Sequence, residues 1–335
     1  MFTKKIPFYF LPIVFVSAIL ISWVYFFQYK KNTEAQSSVS DYECGYSMKR
    51  LKGYNYVRPL MFIETACESP RLNSIKSSIE NIIATEKLNA NISSASVYLR
   101  ELNSGNWINI NENQKFSPGS LLKVPELIAI MKMNELHPGF LNRVITYNKP
   151  LISDKHANFL SKSIVLGNSY TVKELCRYMI SYSDNNATLL LNQMVDVPTF
   201  NKVFTDLGLP APDSKANQYP ISAHDYSLFM RVLYNATYLT IDDSEFCTDL
   251  LSTCNFPEGM EKGLPANIKM AHKFGEGGFD NSPQYSESAI VYLNNNAYIL
   301  TVMTNGNEMK KLPKVVSTIA RTVYENMLGF TTTNS

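Results

Sequence analysis

The chain has 335 residues, of which 45% are hydrophobic, 12% aromatic and 18% charged. This length allows one large domain or two small ones with a real core, and the apolar fraction excludes a disordered or low-complexity protein. The net charge is +2, but residues 1–31 hold four lysines and no acidic residue, so the remainder carries −2. A near-neutral body offers no phosphate-binding surface, which argues against nucleic-acid binding.

Residues 6–27 contain no charged side chain and are rich in Phe, Ile, Val and Leu. A helix of this length rises about 33 Å, which is enough to span a hydrocarbon core of about 30 Å. The alternative is a cleaved signal peptide, but the apolar stretch is unusually long and no small-x-small cleavage site directly follows it. We therefore predict an uncleaved, single-pass membrane anchor within residues 1–31.

Residues 32–72 are predicted to be a stalk and lead-in, and residues 73–330 to form one folded domain. The domain opens with a helix, because Ile75, Ile79 and Ile83 fall on one helical face. Two strand pairs are predicted near its ends, and a closing helix follows the second pair. The pairs are 95–102 with 107–110, and 288–293 with 297–304, and the closing helix covers 315–327.

The middle of the domain is predicted to be helical, and one of its helices opens with a Thr171/Glu174 capping box. The predicted helices cover 117–136, 171–181, 186–194, 198–207, 222–234 and 243–251. The fold class is therefore α/β of the α+β type. The N- and C-terminal strands should form one antiparallel sheet, with a helical lobe from the middle of the chain packed on it.

The five cysteines and four histidines predict no metal site, and we expect no cofactor. No two cysteines have the spacing of a zinc knuckle, and the histidines lie far apart. Cys247 and Cys254 are close enough in sequence to close a short disulfide in an oxidising compartment, although the odd count leaves the pairing open. Cys176 lies on an apolar helical face and is expected to be a small buried side chain.

Ser120 and Lys123 form the only S-x-x-K motif of the chain. In a helix these positions share a face, so the hydroxyl and the amine can meet. A serine hydroxyl needs a base to take its proton, and lysine can act as that base when its pKa is lowered. Pro125 requires the helix to begin close to Ser120, because proline is tolerated only in the first turn. The alternative is a chance match on an ordinary amphipathic helix.

Two further motifs follow in order, Ser-Asp-Asn at 183–185 and the only K-x-G of the chain at 273–275. In a functional interpretation, Ser183 relays a proton to a leaving nitrogen and Asn185 binds a substrate carbonyl. In a structural one, the triplet is an ordinary turn. The K-x-G motif lies in an apparent strand, where Lys273 would either attract a substrate carboxylate or be a solvated side chain beside a loop glycine.

Together and in this order, the three motifs resemble the signature of the class A β-lactamases and the related penicillin-binding proteins. The flanks match as well, since FSPGSLLKVP at 116–125 is similar to a class A active-site helix. SDNNATLLL at 183–191 is similar to that family's second motif and the helix after it. The resemblance covers about residues 73–330 and leaves the anchor and lead-in outside.

The resemblance implies a serine hydrolase that works through an acyl-enzyme. Ser120 would be the acylated nucleophile, and Lys123 would accept its proton. Ser183 would deliver a proton to the departing amide nitrogen, and Lys273 would keep that region positive.

The resemblance also implies a substrate-binding strand and an oxyanion hole. Asn185 would orient the side-chain amide of the substrate, and Gly275 would lie in the strand beside it. The backbone N–H groups of Ser120 and Glu276 would form the oxyanion hole. One departure is Phe274, which stands where the family usually has Thr or Ser, so a hydroxyl donor to the substrate carboxylate is missing.

The second departure concerns release of the acyl group. Class A enzymes have a longer loop between the second and third motifs, with a Glu that activates the hydrolytic water. The corresponding residues 208–221 contain no Glu, and Asp213 is their only acid. We therefore expect acylation to be intact and deacylation to be slow.

Three functions fit these observations. The first is a membrane-tethered β-lactamase-like hydrolase with a small-molecule β-lactam as substrate. The second is a D,D-peptidase acting on peptidoglycan stem peptides. The third is an inactive wall-binding module, which is disfavoured because the serine, both lysines and the triplet are all present. Since both substrates lie outside the cytoplasmic membrane, we expect an extracytoplasmic catalytic domain, periplasmic or extracellular.

Overall fold

The computed structural model describes residues 44–150, 158–159, 161–213, 218–293 and 296–332, together with Trp23. The anchor predicted at 6–27 lies outside the described residues, apart from Trp23. Within the part of the chain that is described, no helix is both long enough and apolar enough to cross a bilayer.

Strands from the two ends of the domain form one central sheet. The described residues contain the strands β1 Tyr46–Arg50, β2 Leu60–Thr65, β3 Ser94–Glu101, β4 Trp107–Ile110, β5 Val144–Thr146, β6 Ser169–Thr171, β7 Met270–Phe279, β8 Ser282–Leu293 and β9 Asn296–Asn305. The central sheet consists of five of these strands, all antiparallel, in the order β4, β3, β9, β8, β7. The other four form two-stranded pairs, β1 with β2 and β5 with β6. The predicted joining of N- and C-terminal strands is confirmed, because β3 pairs with β9 along its whole length.

The helices cover both faces of this sheet. They are α1 Asn73–Leu88, α2 Lys123–Leu136, α3 Val172–Ser181, α4 Asn185–Asn192, α5 Val197–Leu207, α6 Ala223–Tyr234, α7 Ile241–Ser252, α8 Met260–Gly263 and α9 Leu312–Thr332. α1, α8 and α9 pack on one face, and α2 to α7 build a helical lobe on the other. The period of two in a strand separates the faces: Val97 and Leu99 of β3 join the first cluster, and Tyr98 joins the lobe.

Two local predictions about helix starts are confirmed. Thr171 caps α3 through a hydrogen bond from Glu174 N to its Oγ1 (3.1 Å), and Glu174 Oε2 accepts from Thr171 N (2.7 Å). Pro125 is the third residue of α2. A proline there removes an N–H that has no partner inside the helix, so the helix continues without a kink.

The hairpin of β1 and β2 lies in the lead-in and was not predicted. It is attached to the domain by Glu64, which accepts hydrogen bonds from Arg231 Nη1 (3.0 Å) and Arg100 Nη1 (3.3 Å). Burial would raise the pKa of Glu64, but a hydrogen bond from His224 and the charges of both arginines outweigh it and lower that pKa. A buried, charge-assisted cluster of this kind joins segments that are far apart in sequence.

The disulfide considered between Cys247 and Cys254 is wrong. Both are free, buried thiols, as is Cys176, whereas Cys44 and Cys67 are disulfide-bonded. Cys247 packs in the core of the helical lobe, and Cys254, just after α7, packs in the cluster on the other face of the sheet. Closeness in sequence therefore did not bring these two sulfurs together. The predicted burial of Cys176 is confirmed.

Candidate active site

Ser120 lies on a short 3-10 helix, Gly119–Leu122, that leads directly into α2. Neighbours from the sheet and the lobe fix this turn. Ser117 N donates to Gln284 Oε1 at 2.6 Å, and the buried Tyr226 hydroxyl donates to Leu121 O at 2.9 Å. Ser120 itself is only partly buried and lines a cleft.

The edge strand β7 crosses this turn at a distance that only glycine permits. A Cβ on Gly275 would lie 2.2 Å from Pro118 O and 3.0 Å from Ser120 N. A Cβ on Gly119, whose φ is +53°, would lie 1.8 Å from Glu276 O. The glycine of the K-x-G motif therefore brings the backbone of Glu276 against the residue that precedes Ser120, as a backbone oxyanion hole requires.

The Ser-Asp-Asn triplet forms a tight turn between α3 and α4. Asp184 is buried and accepts hydrogen bonds from Ser163 Oγ (2.8 Å), Ile164 N (2.8 Å) and Asn186 N (3.0 Å). It thereby caps α4 and holds the turn together. Ser183 has a φ of +54°, which is uncommon for a residue with a side chain and is found in strained functional turns.

Two lysine amines converge on Ser183. Lys123 Nζ lies 2.7 Å from Ser183 O, 2.7 Å from Asn185 Oδ1 and 3.3 Å from Ser183 Oγ. Lys273 Nζ donates to Ser183 Oγ at 2.9 Å and to Phe274 O at 3.0 Å. The side-chain oxygen of Ser183 is thus placed between two amines, a geometry suited to passing a proton.

Both lysines are withdrawn from solvent, since Lys123 is 5% exposed and Lys273 is 0% exposed. This excludes the alternative in which Lys273 is a solvated surface side chain. Burial lowers the pKa of Lys273, and the negative charges of Cys254, Glu287 and Glu276 oppose that shift only in part. The net downward direction makes this amine easier to deprotonate.

Ser120, Ser183 and Asn185 line one cleft of about 650 Å³. Phe159 and Phe274 also line it and belong to an aromatic cluster. Phe274 stacks on Phe256 with ring centroids 4.0 Å apart, and Phe159 meets Phe256 edge-on at 4.8 Å. The position at which relatives carry a hydroxyl is therefore part of an apolar wall.

The Glu276 side chain has a structural contact that the sequence did not predict. Its carboxylate accepts hydrogen bonds from Asn158 N and Nδ2, both at 2.8 Å, and from Phe159 N at 3.1 Å. Asn158 and Phe159 are thereby held at the mouth of the cleft. No motif surrounds these two residues, so only their position in the fold identifies them.

In the segment that follows α5, no acidic residue that the structure describes lines the cleft. Asp213 is exposed and is not among the residues that line it. The segment is closed by Tyr219, whose hydroxyl donates to Pro210 O at 2.8 Å, and it ends at Ile221, which forms a β-bridge with Phe116. Of the loop residues that the structure describes, 208–213 and 218–221, none lines the cleft.

Glu126 is another acid close to Lys123 in the chain, one helical turn further along α2. It is buried, and its Oε1 has no hydrogen-bond partner. Burial raises the pKa of Glu126 to about 8, while the charge of Lys123 acts in the opposite direction. Glu126 does not line the cleft either.

Comparison with protein families and curated sequences identifies the family of this chain. The model of the beta-lactamase enzyme family, Beta-lactamase2, matches residues 74–327. The beta-lactamases ROB-1 of Haemophilus influenzae and of Mannheimia haemolytica are each 29% identical over 114 residues. That match covers 33% of this chain and 35% of either relative, so the chain spans about a third of the length of the curated relatives it matches.

Solved structures share the fold. A beta-lactamase from Chitinophaga pinensis is 19% identical with a TM-score of 0.66, over 76% of this chain and all of that one. PBP-A is 21% identical with a TM-score of 0.64, over 78% of this chain and 98% of that one. A class A beta-lactamase from Mycobacterium abscessus is 21% identical with a TM-score of 0.60, over 76% and 99% of the two chains. At these identities the likeness confirms the expected α+β architecture.

Proposed function

We propose, since the chain belongs to the beta-lactamase enzyme family and is a serine hydrolase, that Ser120 is acylated by β-lactams or related D-Ala-D-Ala-type amides. The acyl group is then released slowly from Ser120. One observation carries this proposal. Ser183 Oγ lies 2.9 Å from Lys273 Nζ and 3.3 Å from Lys123 Nζ, in the cleft that Ser120 lines. Two buried amines around the Ser183 hydroxyl, in the same cleft as the Ser120 hydroxyl, support proton transfer during acylation.

Acylation begins at Lys123. A neutral lysine amine keeps two N–H donors, enough for Ser183 O and Asn185 Oδ1, and gains a lone pair. That lone pair takes the Ser120 proton as Oγ attacks the substrate carbonyl carbon. The negative charge on the carbonyl oxygen is stabilised by the backbone N–H groups of Ser120 and Glu276.

Collapse of the tetrahedral intermediate uses Ser183. Its hydroxyl gives a proton to the leaving nitrogen as the C–N bond breaks, and it is reprotonated from Lys123 at 3.3 Å. Lys273, a donor at 2.9 Å, stabilises the charge that builds up on Ser183 Oγ during the transfer. The product is an ester between Ser120 and the acyl group.

Slow release is proposed because hydrolysis of this ester needs an activated water. None of the described residues of 208–221 brings a carboxylate to the cleft, and Glu126 is buried outside it. The acids that do line the cleft, Glu276 and Asp280, belong to β7 and the turn after it, and the Glu276 carboxylate is bonded to Asn158 and Phe159. The same observation favours a second candidate, a D,D-peptidase acting on peptidoglycan stem peptides. For such an enzyme a long-lived penicilloyl ester is inhibition rather than an intermediate of turnover.

The experiment is to treat the full chain with a fluorescent penicillin and to follow the adduct by intact mass. We expect one adduct that persists for minutes or longer, that is abolished by Ser120→Ala and that is retained in the matched control Ser117→Ala. Release of D-Ala from an acyl-D-Ala-D-Ala peptide would identify the peptidase. A folded protein that neither labels nor cleaves would overturn both candidates in favour of a non-catalytic module.

We further propose that the catalytic domain lies on the extracytoplasmic side and is tethered to the membrane through residues 6–27. Its substrates are found outside the cytoplasmic membrane, and the disulfide-bonded state of Cys44 and Cys67 is typical of an oxidising compartment. The test is proteolysis of intact spheroplasts. We expect the protease to digest the domain while a cytoplasmic control protein stays intact. Protection of both proteins would contradict the proposal.

A further inference from the structure

On the face of the sheet that α1 and α9 cover, Cys254, His272 and Glu287 form a buried cluster. The three residues are 6%, 2% and 0% exposed. His272 Nδ1 lies 2.7 Å from Glu287 Oε1, and its Nε2 lies 3.3 Å from the backbone oxygen of Cys254. A cysteine, a histidine and a carboxylate that orients the histidine thus lie together, and these residue types are those that make up an activated nucleophile.

The carboxylate of this cluster is held in one orientation. Glu287 Oε2 accepts hydrogen bonds from the Tyr285 hydroxyl (2.7 Å) and from Met260 N (2.9 Å), so Oε1 is directed at His272. A carboxylate fixed by two further donors in turn fixes the ring plane of the histidine bonded to it. The imidazole therefore keeps Nε2 directed at the backbone of Cys254.

The charges of the cluster favour the reactive form of the thiol. Burial would raise the pKa of Cys254, but the positive charges of His272 and Lys273 outweigh it, so the pKa is lowered. Burial would lower the pKa of His272, yet Cys254 and Glu287 raise it well above the ordinary value. The pair therefore favours thiolate and imidazolium, and the thiolate is the nucleophilic form of cysteine.

A separate cavity of about 500 Å³ reaches this cluster. Cys254 and His272 line it, together with residues from 252–270, and it shares no lining residue with the Ser120 cleft. Its walls combine apolar side chains such as Leu264 and Ile268 with the polar Thr253. Its volume suits a small molecule rather than a protein partner.

The other two free thiols differ in each of these features. Cys176 and Cys247 are 0% exposed, and burial raises the pKa of both thiols. Neither lines the cavity at 252–272. They are internal controls for a thiol that is buried without activation.

We propose that Cys254 is a second nucleophile of this protein, which undergoes thiol–disulfide exchange with small-molecule disulfides that enter the cavity at 252–272. The Cys254 thiolate attacks one sulfur of the disulfide, and a new S–S bond forms as the original one breaks. The Cys254 sulfur is oxidised, and the other half of the molecule leaves as a thiolate that takes one proton from water. The disulfide-bonded Cys44 and Cys67 are typical of compartments in which small disulfides persist.

The test uses the full chain and 4,4′-dithiodipyridine, which releases a coloured thiopyridone for each thiol that reacts. We expect one rapid equivalent, mapped to Cys254 by peptide mass, at least about tenfold faster than Cys176 and Cys247. Cys254→Ser should remove this phase, and the matched Cys247→Ser should keep it. Slow reaction of all three thiols, reached only in denaturant, would overturn the proposal.

A second arm needs no variant. The charged and titratable groups that face Cys254 are His272 and Lys273 from β7 and Glu287 and Tyr285 from β8. Because the pKa of Cys254 is lowered, the rate of the rapid phase should fall less steeply between about pH 8 and about pH 6 than the rate of an ordinary thiol. An ordinary thiol would instead slow about tenfold for each pH unit of acidification, and that slope would contradict the proposal.

Discussion

The two sides of the Ser120 cleft differ in the titratable side chains that they bring to it. On the side of β7 and the 183–185 turn, two buried amines, a strained serine and a close glycine backbone converge within hydrogen-bond distance. On the side of the segment after α5, no described residue contributes an acid to the cleft. Among the described residues, the groups proposed to form the acyl-enzyme therefore lie on one side of the cleft, and the described residues of 208–221 add no acid on the other.

The largest expected effect is the loss of the proposed base. Lys123→Met should slow acylation by fluorescent penicillin about 10³-fold, because no group would remain to take the Ser120 proton. Lys132→Met is the matched control on the same helix, since the Lys132 amine pairs with Glu135 at 2.6 Å. An acylation rate within a few-fold of the unaltered chain would show that Lys123 is not the base.

The next effect tests the close approach of β7. In Gly275→Ala, a methyl group would lie 2.2 Å from Pro118 O, so the strand or the Ser120 turn must shift. We expect the free energy of unfolding to fall by about 1–3 kcal/mol and acylation to slow by about 10–100-fold. Gly45→Ala, where nothing lies within 4 Å of the new Cβ and the backbone needs no positive φ, is the control in both urea unfolding and labelling. Equal behaviour of the two variants would show that close packing is not required.

Glu126 tests whether a carboxylate one helical turn after Lys123 takes the place of the Glu that is missing from residues 208–221. In the folded protein its pKa is about 8, against an ordinary 4.5, so the folded chain holds a proton that the unfolded chain releases between these values. Because binding of this proton favours the folded state only at the lower pH values, the free energy of unfolding falls as the pH rises between the two pKa values.

Glu126→Gln should therefore raise the free energy of unfolding at pH 8, relative to its effect at pH 5, by about 1–3 kcal/mol. The lifetime of the penicillin adduct should not change, because Glu126 does not line the cleft. The control is Glu80→Gln at an exposed position of α1. Urea unfolding at both pH values gives the first result, and a longer-lived adduct in Glu126→Gln would identify a base where none is expected.

The smallest expected effect concerns Asp213, the acid of the loop. Asp213→Asn should leave the adduct lifetime unchanged within about twofold, because the exposed carboxylate does not line the cleft. Time-resolved intact mass measures this directly. A markedly longer lifetime would show that the loop closes over the acyl-enzyme and supplies the water-activating group.

Local patterns predicted much of the fold. The helix predicted at 171–181, the strands of the central sheet and the Thr171 cap follow from hydrophobic period and capping chemistry, which act over a few residues. The helix predicted at 117–136 is α-helical only from Lys123, after a 3-10 turn at Gly119–Leu122. The boundaries of β8 were less accurate. Its first half, from Ser282, lies beside β7 and was not predicted as strand.

Contacts between distant segments were not predictable in the same way. The β1–β2 hairpin is attached through Glu64 to Arg231, 167 positions away. Sequence distance made Cys247 a candidate partner for Cys254 and left the pairing open, and the neighbour of Cys254 in the structure is His272. No pattern within one segment encodes such pairs, because each partner is an ordinary polar residue in its own neighbourhood.

The amino-acid sequence by itself determined the family, the order of its three motifs and the absence of a Glu from 208–221, because these depend only on residue type and spacing. Only packing between distant segments places Ser183 between two amines, Gly275 against the Ser120 turn, and the His272 imidazole between Glu287 and the backbone of Cys254. These segments are up to 157 positions apart, and hydrogen-bond distances are set by that packing rather than by local propensity.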